Sequence, residues 1–72
     1  MSNVIHSPEY QMFLKRLCQA RLKASLTQVE AAKRLGKRQT YISKCEEGER
    51  RVDVVELKKF AKLYKKPLEF FL

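Results

Sequence analysis

Two glycines, two prolines, two cysteines, one histidine and no tryptophan stand among the 72 residues of this chain. Each scarcity narrows what the molecule is. Cys18 and Cys45 form no C-x-x-C pair and have no histidine nearby, which excludes a zinc site of the usual ligand spacing and argues against a secreted disulfide framework. Both fall on apolar positions, as buried reduced thiols do, with a redox-sensing pair as the other reading. The histidine, His6, lies near the N-terminus and supports no assignment. Without a cluster of His, Cys and acidic residues there is no constellation to carry catalysis, so we expect no enzyme, no cofactor and no small-molecule ligand. No apolar run approaches the roughly 20 residues that cross a bilayer, and no membrane partner is expected. Met1 to Ser7 lack the charged start and apolar run of a signal peptide, which points to a cytoplasmic setting.

Acidic residues are also scarce. Eight Asp and Glu face sixteen Lys and Arg, leaving a net charge of +8 and a pI near 9.8. A field of that sign favours a polyanionic partner, nucleic acid or an anionic membrane surface, although a merely solubilising surface has the same composition. Hydrophobic residues at 44% and charged residues at 33% are the profile of a globular domain rather than a disordered tail. A chain this short holds one domain with a compact core. No repeat, linker or low-complexity tract divides it, and we read residues 1–7 as a flexible N-terminus and 8–72 as the domain.

The few prolines and glycines punctuate helices. Ser7-Pro8-Glu9 is a helix start, with Ser at the N-cap, Pro at the first helical position and an acid in the first turn. Tyr10, Phe13, Leu14, Leu17 and Cys18 then recur as one apolar face, and its continuation lands on Arg21, a charged residue on a buried stripe. Thr27 and Glu30 have capping-box spacing, with Leu26 and Ala31 placed to staple across it. Val29, Ala32 and Leu35 are read as the inward face, and Gly36 as the left-handed stop. A helix from Gln39 to Glu47 ends at Gly48. Asp53 and Glu56 repeat the capping-box spacing before the face made by Leu57, Phe60, Ala61 and Tyr64. Pro67 opens a last short turn, Leu68 to Phe71. The sequence predicts an all-α fold of five helices, with no strand candidate.

The segment from Thr27 to Gly48 carries the most specific pattern. Two short helices joined by a tight glycine turn can cross steeply and leave the second projecting from the body. Ala32 is small where such helices cross, Gly36 stands at the turn, and Ile42 points back into the angle. Leu26-Thr27-Gln28, Ala32, Leu35-Gly36, Tyr41-Ile42-Ser43-Lys44, Glu46, Gly48 and Arg50, continued by Leu57, Ala61 and Leu63, resemble the phage-repressor and Cro-like helix-turn-helix family, also called the xenobiotic-response-element family, over roughly residues 10–72. The resemblance implies a compact five-helix, lambda-repressor-like DNA-binding domain whose helix-turn-helix spans 27–48. Its expected partner is double-stranded DNA.

Carried over residue by residue, the family pattern places Gln39, Thr40, Ser43 and Lys44 toward base edges in the major groove, where amide, hydroxyl and ammonium groups have matching partners. It places Gln28 at a phosphate beside a helix N-terminus. Arg50 and Arg51 flank the recognition helix as phosphate contacts, and Lys37 and Arg38 stand beside its start, within reach of backbone. The family's structural ion pair maps to Arg21 and Glu46. The sequence departs from the family at Arg38, where a Ser or Thr cap is usual, at Lys37, where a small aliphatic residue is usual, and at Ser25, where glycine is frequent. So small a module is expected to bind a palindromic operator as a two-fold homodimer, with residues 67–72 as the contact. A transcriptional regulator is the leading reading. The alternative is a protein-interaction module such as an antitoxin or a transcription-bridging protein, which usually adds a longer tail than this chain shows after Leu72.

Overall fold

The start and stop signals act where the sequence puts them. The computed structural model describes residues 7–72 as four α-helices, α1 (Pro8–Lys23), α2 (Gln28–Leu35), α3 (Gln39–Glu47) and α4 (Val54–Tyr64), followed by a 3-10 turn over Leu68–Phe71. Among the described residues there is no strand. The expected flexible start, 1–7, lies outside the described residues except for Ser7, whose hydroxyl accepts the Tyr10 N–H at 3.1 Å and caps α1.

Both capping boxes close. The Thr27 hydroxyl accepts the Glu30 N–H at 3.1 Å while the Glu30 carboxylate accepts the Thr27 N–H at 2.8 Å. Asp53 and Glu56 do the same at 2.8 and 2.9 Å. Each box satisfies two N–H groups that a helix start leaves without partners. At the other end, α2 and α3 stop on Gly36 and Gly48, at φ 69° and 85°. A Cβ at Gly36 would meet nothing within 4 Å, so the left-handed backbone alone favours glycine there. Ser25, between α1 and α2, and Lys65, at the end of α4, hold the same left-handed region at φ 59° and 58° without being glycine.

The core draws on every element. Leu17 and Ala20 of α1, Leu26, Ala31 and Ala32 at α2, Ile42 and Cys45 of α3, Phe60, Ala61 and Tyr64 of α4, and Phe71 of the last turn form one buried cluster. Phe60, Phe71, Leu17 and Ile42 are wholly enclosed, each contributing roughly 1.5–3 kcal/mol by leaving water. Stacked Tyr41, Phe60 and Tyr64 rings, with successive centroids 6.2 and 5.8 Å apart, tie α3 to α4. Burial raises the Tyr64 phenol above its ordinary pKa.

Two expectations are corrected. Val29 does not face inward: it is 51% exposed, and Ala31 takes its place. Helical geometry explains this, since the inward arc of α2 is centred between Ala31, Ala32 and Leu35, and Val29 lies about 110° around the axis from that centre. Cys45 is buried, but Cys18 is only half-buried, and neither is in a disulfide. The tail from Pro67 to Leu72 buries its own aromatic side chain, Phe71, in the domain, which leaves Leu68 and Leu72 as its exposed apolar residues.

Candidate nucleic-acid interface

α2 and α3 pack closely on one another, and their juxtaposition is set from the inside. Ala31 and Ala32 let the two axes approach, Ile42 and Cys45 fill the angle, and the turn closes with the Lys37 N–H donating to the Ala32 carbonyl at 2.8 Å. The outer surface of α3 then projects away from the core: Gln39, Thr40 and Lys44 are exposed and Ser43 is half-buried.

A polar chain runs from α1 to the first residue of α3. Arg21, 8% exposed, donates from Nε to Glu46 Oε2 at 2.7 Å and from Nη2 to Glu46 Oε1 at 3.1 Å. Its Nη1 donates to the Leu26 carbonyl at 2.9 Å, and Nη2 also reaches Cys18 Sγ at 3.6 Å. The hydrogen bond to Glu46 raises the Arg21 pKa further, so the guanidinium is charged at every accessible pH. Glu46 Oε1 accepts a second donor, Gln28 Nε2 at 3.1 Å, and Gln28 Oε1 accepts Gln39 Nε2 at 2.7 Å. The polarity of this relay is forced. An ionised carboxylate only accepts, so Gln28 turns its NH₂ to Glu46 and its oxygen to Gln39. Gln39 must therefore point its own NH₂ at Gln28, which leaves its carbonyl oxygen and one N–H directed elsewhere.

The cationic candidates are distributed around α3. Arg38 occupies the N-cap, and no side chain caps the N–H groups of the first turn. Lys37 Nζ lies 5.1 Å from the Tyr41 ring centroid, and the Arg50 guanidinium lies 5.2 Å from it. Arg50 is also paired: Nη2 donates to Glu56 Oε2 at 2.6 Å, where the Tyr41 hydroxyl donates as well at 2.7 Å. Burial opposes ionisation of Glu56, but the Asp53 N–H, the Tyr41 hydroxyl and Arg50 together lower its pKa. The stability Glu56 supplies is thus complete above the ordinary carboxylate range and is lost only as the pH falls through that lowered value. Burial, with the bond to Glu56, raises the Tyr41 phenol. Arg51 is exposed. The Ser43 hydroxyl donates to the Thr40 carbonyl at 3.2 Å, which leaves its oxygen lone pairs as acceptors.

The structure therefore brings Arg21, Glu46, Gln28 and Gln39 into one network, and Lys37 and Arg50 onto one ring. Sequence spacing did not reveal Tyr41 as the platform for two cations, or Glu56 as the partner of Arg50. The only signal for Glu56 was its capping-box position, which describes one of its two carboxylate oxygens. The link from Gln28 to Gln39 had no linear signal, because it depends on the angle at which α2 and α3 cross. Among the described residues no group of His, Cys, Asp and Glu is arranged to hold a metal ion, and no helix is long and apolar enough to cross a membrane.

A family model described as helix-turn-helix matches residues 19–71, from the second half of α1 through the last turn. No curated protein matches the chain significantly.

Proposed function

The chain belongs to the helix-turn-helix family, in its xenobiotic-response-element, Cro-like form, and from that premise we propose that it is a sequence-specific transcriptional regulator. DNA binding is the general activity of the family; the finer reading is that α3 enters the major groove of a palindromic operator. The two reduced thiols suit a cytoplasmic setting.

The observation that carries this reading is the hydrogen bond from Gln39 to Gln28. A base-reading amide must be held in one orientation, because flipping it exchanges donor for acceptor. Gln28, itself oriented by Glu46, does this for Gln39. The remaining carbonyl oxygen and N–H of Gln39 form the pair that matches N6 and N7 of adenine. Lys44 offers donors for the acceptor edge of guanine, Thr40 a hydroxyl and a methyl, and Ser43 an acceptor oxygen. Gln28 serves a phosphate through its second N–H at the start of α2, where the helix dipole also favours an anion. Lys37, Arg38, Arg50 and Arg51 are assigned to flanking phosphates, which position the module without specifying sequence.

Selection of binding sites from random duplex DNA, at stated salt, tests the reading directly. The full chain should enrich a motif of two inverted half-sites. Gln39→Ala and Lys44→Ala should each relax preference at a single position, costing about 1–3 kcal/mol on the preferred duplex. Variants that retain the full preference of the parent would show that α3 does not read bases.

A further inference from the structure

The cations assigned to DNA leave a separate basic cluster unexplained. Lys23, Arg34, Lys65 and Lys66 line one small cavity of about 250 Å³, where the ends of α1 and α4 meet α2, with Leu26 and Leu63 in its walls. No acidic side chain lines it. The two ion pairs of the described residues, Arg21 with Glu46 and Arg50 with Glu56, lie elsewhere. The cluster is held in place. Lys23 Nζ and Lys66 Nζ stand 5.5 and 5.0 Å from the centroid of one ring, Phe70, so two like charges share an anchor. Leu26 is fixed from behind, its carbonyl accepting Arg21 Nη1 at 2.9 Å. Lys65 ends α4 at φ 58°, and Ser25, between the lining residues Ala24 and Leu26, has φ 59°. Among the described residues these are the left-handed positions not held by glycine, and both stand at this cavity. Glycine would relieve the strain at residue 65, but it would remove a cation from the lining.

Helix ends account for only part of this charge. A basic residue in a last turn complements the helix dipole, which is the ordinary reason for a lysine at such a place. The C-terminal ends of α1 and α4 bring roughly half a negative charge each. Glu30, whose pKa is lowered first by the Thr27 N–H and hydroxyl and then by Arg34, brings about one more. Against four cations, a surplus of about two positive charges remains. We propose that the cavity binds a diphosphate group, free or carried by a small molecule. Charge, size and lining select that class. A concave surplus of positive charge draws a polyanion. The volume, about that of eight water molecules at ~30 Å³ each, takes a diphosphate but not a drug-sized ligand. Arg34 supplies a planar fork for phosphate oxygens, and the lysines supply point charges. Little apolar surface is present on which a protein partner could anchor. The cavity also lies apart from the surface assigned to DNA, since Arg34 stands about 120° around α2 from Gln28. Diphosphate binding here is independent of the DNA reading.

The test titrates inorganic pyrophosphate into the full chain, off DNA and at constant ionic strength, followed by heteronuclear NMR. Saturable binding is expected in roughly the 0.01–1 mM range, with shifts centred on residues 23–26, 34 and 63–66. Arg34→Ala should weaken it about tenfold. Lys65→Gly should weaken it about threefold while the chain stays folded, because glycine suits that backbone. Lys58→Ala removes the same charge from an exposed site of α4 and should change binding less than about twofold. Inorganic phosphate should bind about tenfold more weakly than pyrophosphate, and equal binding of the two would refute recognition of a diphosphate. ADP that binds as pyrophosphate does, with the same dependence on Arg34, supports the site; tighter binding of ADP supports it too and assigns the carrier as a nucleotide. Absence of saturable binding overturns the proposal. So does binding that is lost in Arg38→Ala but indifferent to Arg34 and Lys65, which would place the anion at α3. A polyglutamate peptide that outbinds pyrophosphate through Arg34 would give the cavity to a protein instead. Duplex affinity and sequence selection should be unaltered in Arg34→Ala. A uniform loss for all duplexes would make the cavity part of the DNA surface, overturning this site but not the DNA reading.

Discussion

Removing the Glu46 carboxylate would strand three donors at once: Arg21 Nε, Arg21 Nη2 and Gln28 Nε2. Two belong to a guanidinium whose side chain is 10% exposed, so its charge would be left buried and unpaired. Glu46→Ala should therefore destabilise the fold by about 3–5 kcal/mol, read as the shift of a denaturant midpoint. Replacing both partners together, Arg21→Met with Glu46→Leu, should recover most of that loss, because a well-packed apolar pair carries no desolvation cost. The same double variant loses the acceptor that orients Gln28. It should fold, bind DNA and yet have lost preference at the position read by Gln39. Recovery of stability together with full sequence preference would mean that Glu46 has no part in orienting Gln39. At this scale the sequence showed that an arginine sat on an apolar stripe, and family resemblance supplied its partner. It did not show that Cys18, a half-buried thiol, shares the same Nη2, since a contact one turn away on α1 looks like ordinary helix spacing.

Among the four α-helices, α3 alone starts without a side-chain cap, at Arg38. An uncapped start leaves N–H groups for a phosphate, next to a guanidinium that would bind the same anion. Arg38→Ser should reverse both effects. It should add about 1 kcal/mol of stability by capping the first turn, while weakening all duplexes to a similar degree, as loss of a phosphate contact does. Thermal unfolding and anisotropy titrations with selected and scrambled duplexes would check this; a change in sequence preference would place Arg38 at a base instead. Element boundaries were legible because Ser7, Thr27, Asp53, Gly36 and Gly48 act locally. The facing of α2 was not, because in two turns of helix the direction of the apolar stripe is weakly fixed, and the alanines that permit the close crossing carry little hydrophobic signal. Ser25 shows the same limit. The sequence marked it as a departure from glycine, but only the structure gives its left-handed backbone, φ 59°.

For the whole molecule, net charge is a poor guide to how many phosphates are neutralised, because one of the assigned cations is already paired. Lys37, Arg38, Arg50 and Arg51 are the charged phosphate candidates, and four contacts would give a slope of log affinity against log salt of about −3.6 per module. Arg50, however, shares its charge with Glu56 at 2.6 Å, and attraction to that carboxylate raises its pKa. The pair is close to neutral, so its contribution to counterion release is small, and a single half-site should give roughly −2.7 instead. Three variants distinguish these cases in a titration with potassium chloride. Arg51→Ala should flatten the slope by about 0.9, and Arg50→Ala by clearly less. Glu56→Gln keeps the helix cap, since glutamine serves in a capping box, but it removes the charge that holds Arg50. It should steepen the slope by up to about 0.9 and raise affinity for every duplex alike. Should Glu56→Gln leave the slope unchanged while Arg50→Ala flattens it fully, Arg50 already leaves Glu56 for a phosphate in the parent complex, and the Tyr41 platform releases rather than retains it.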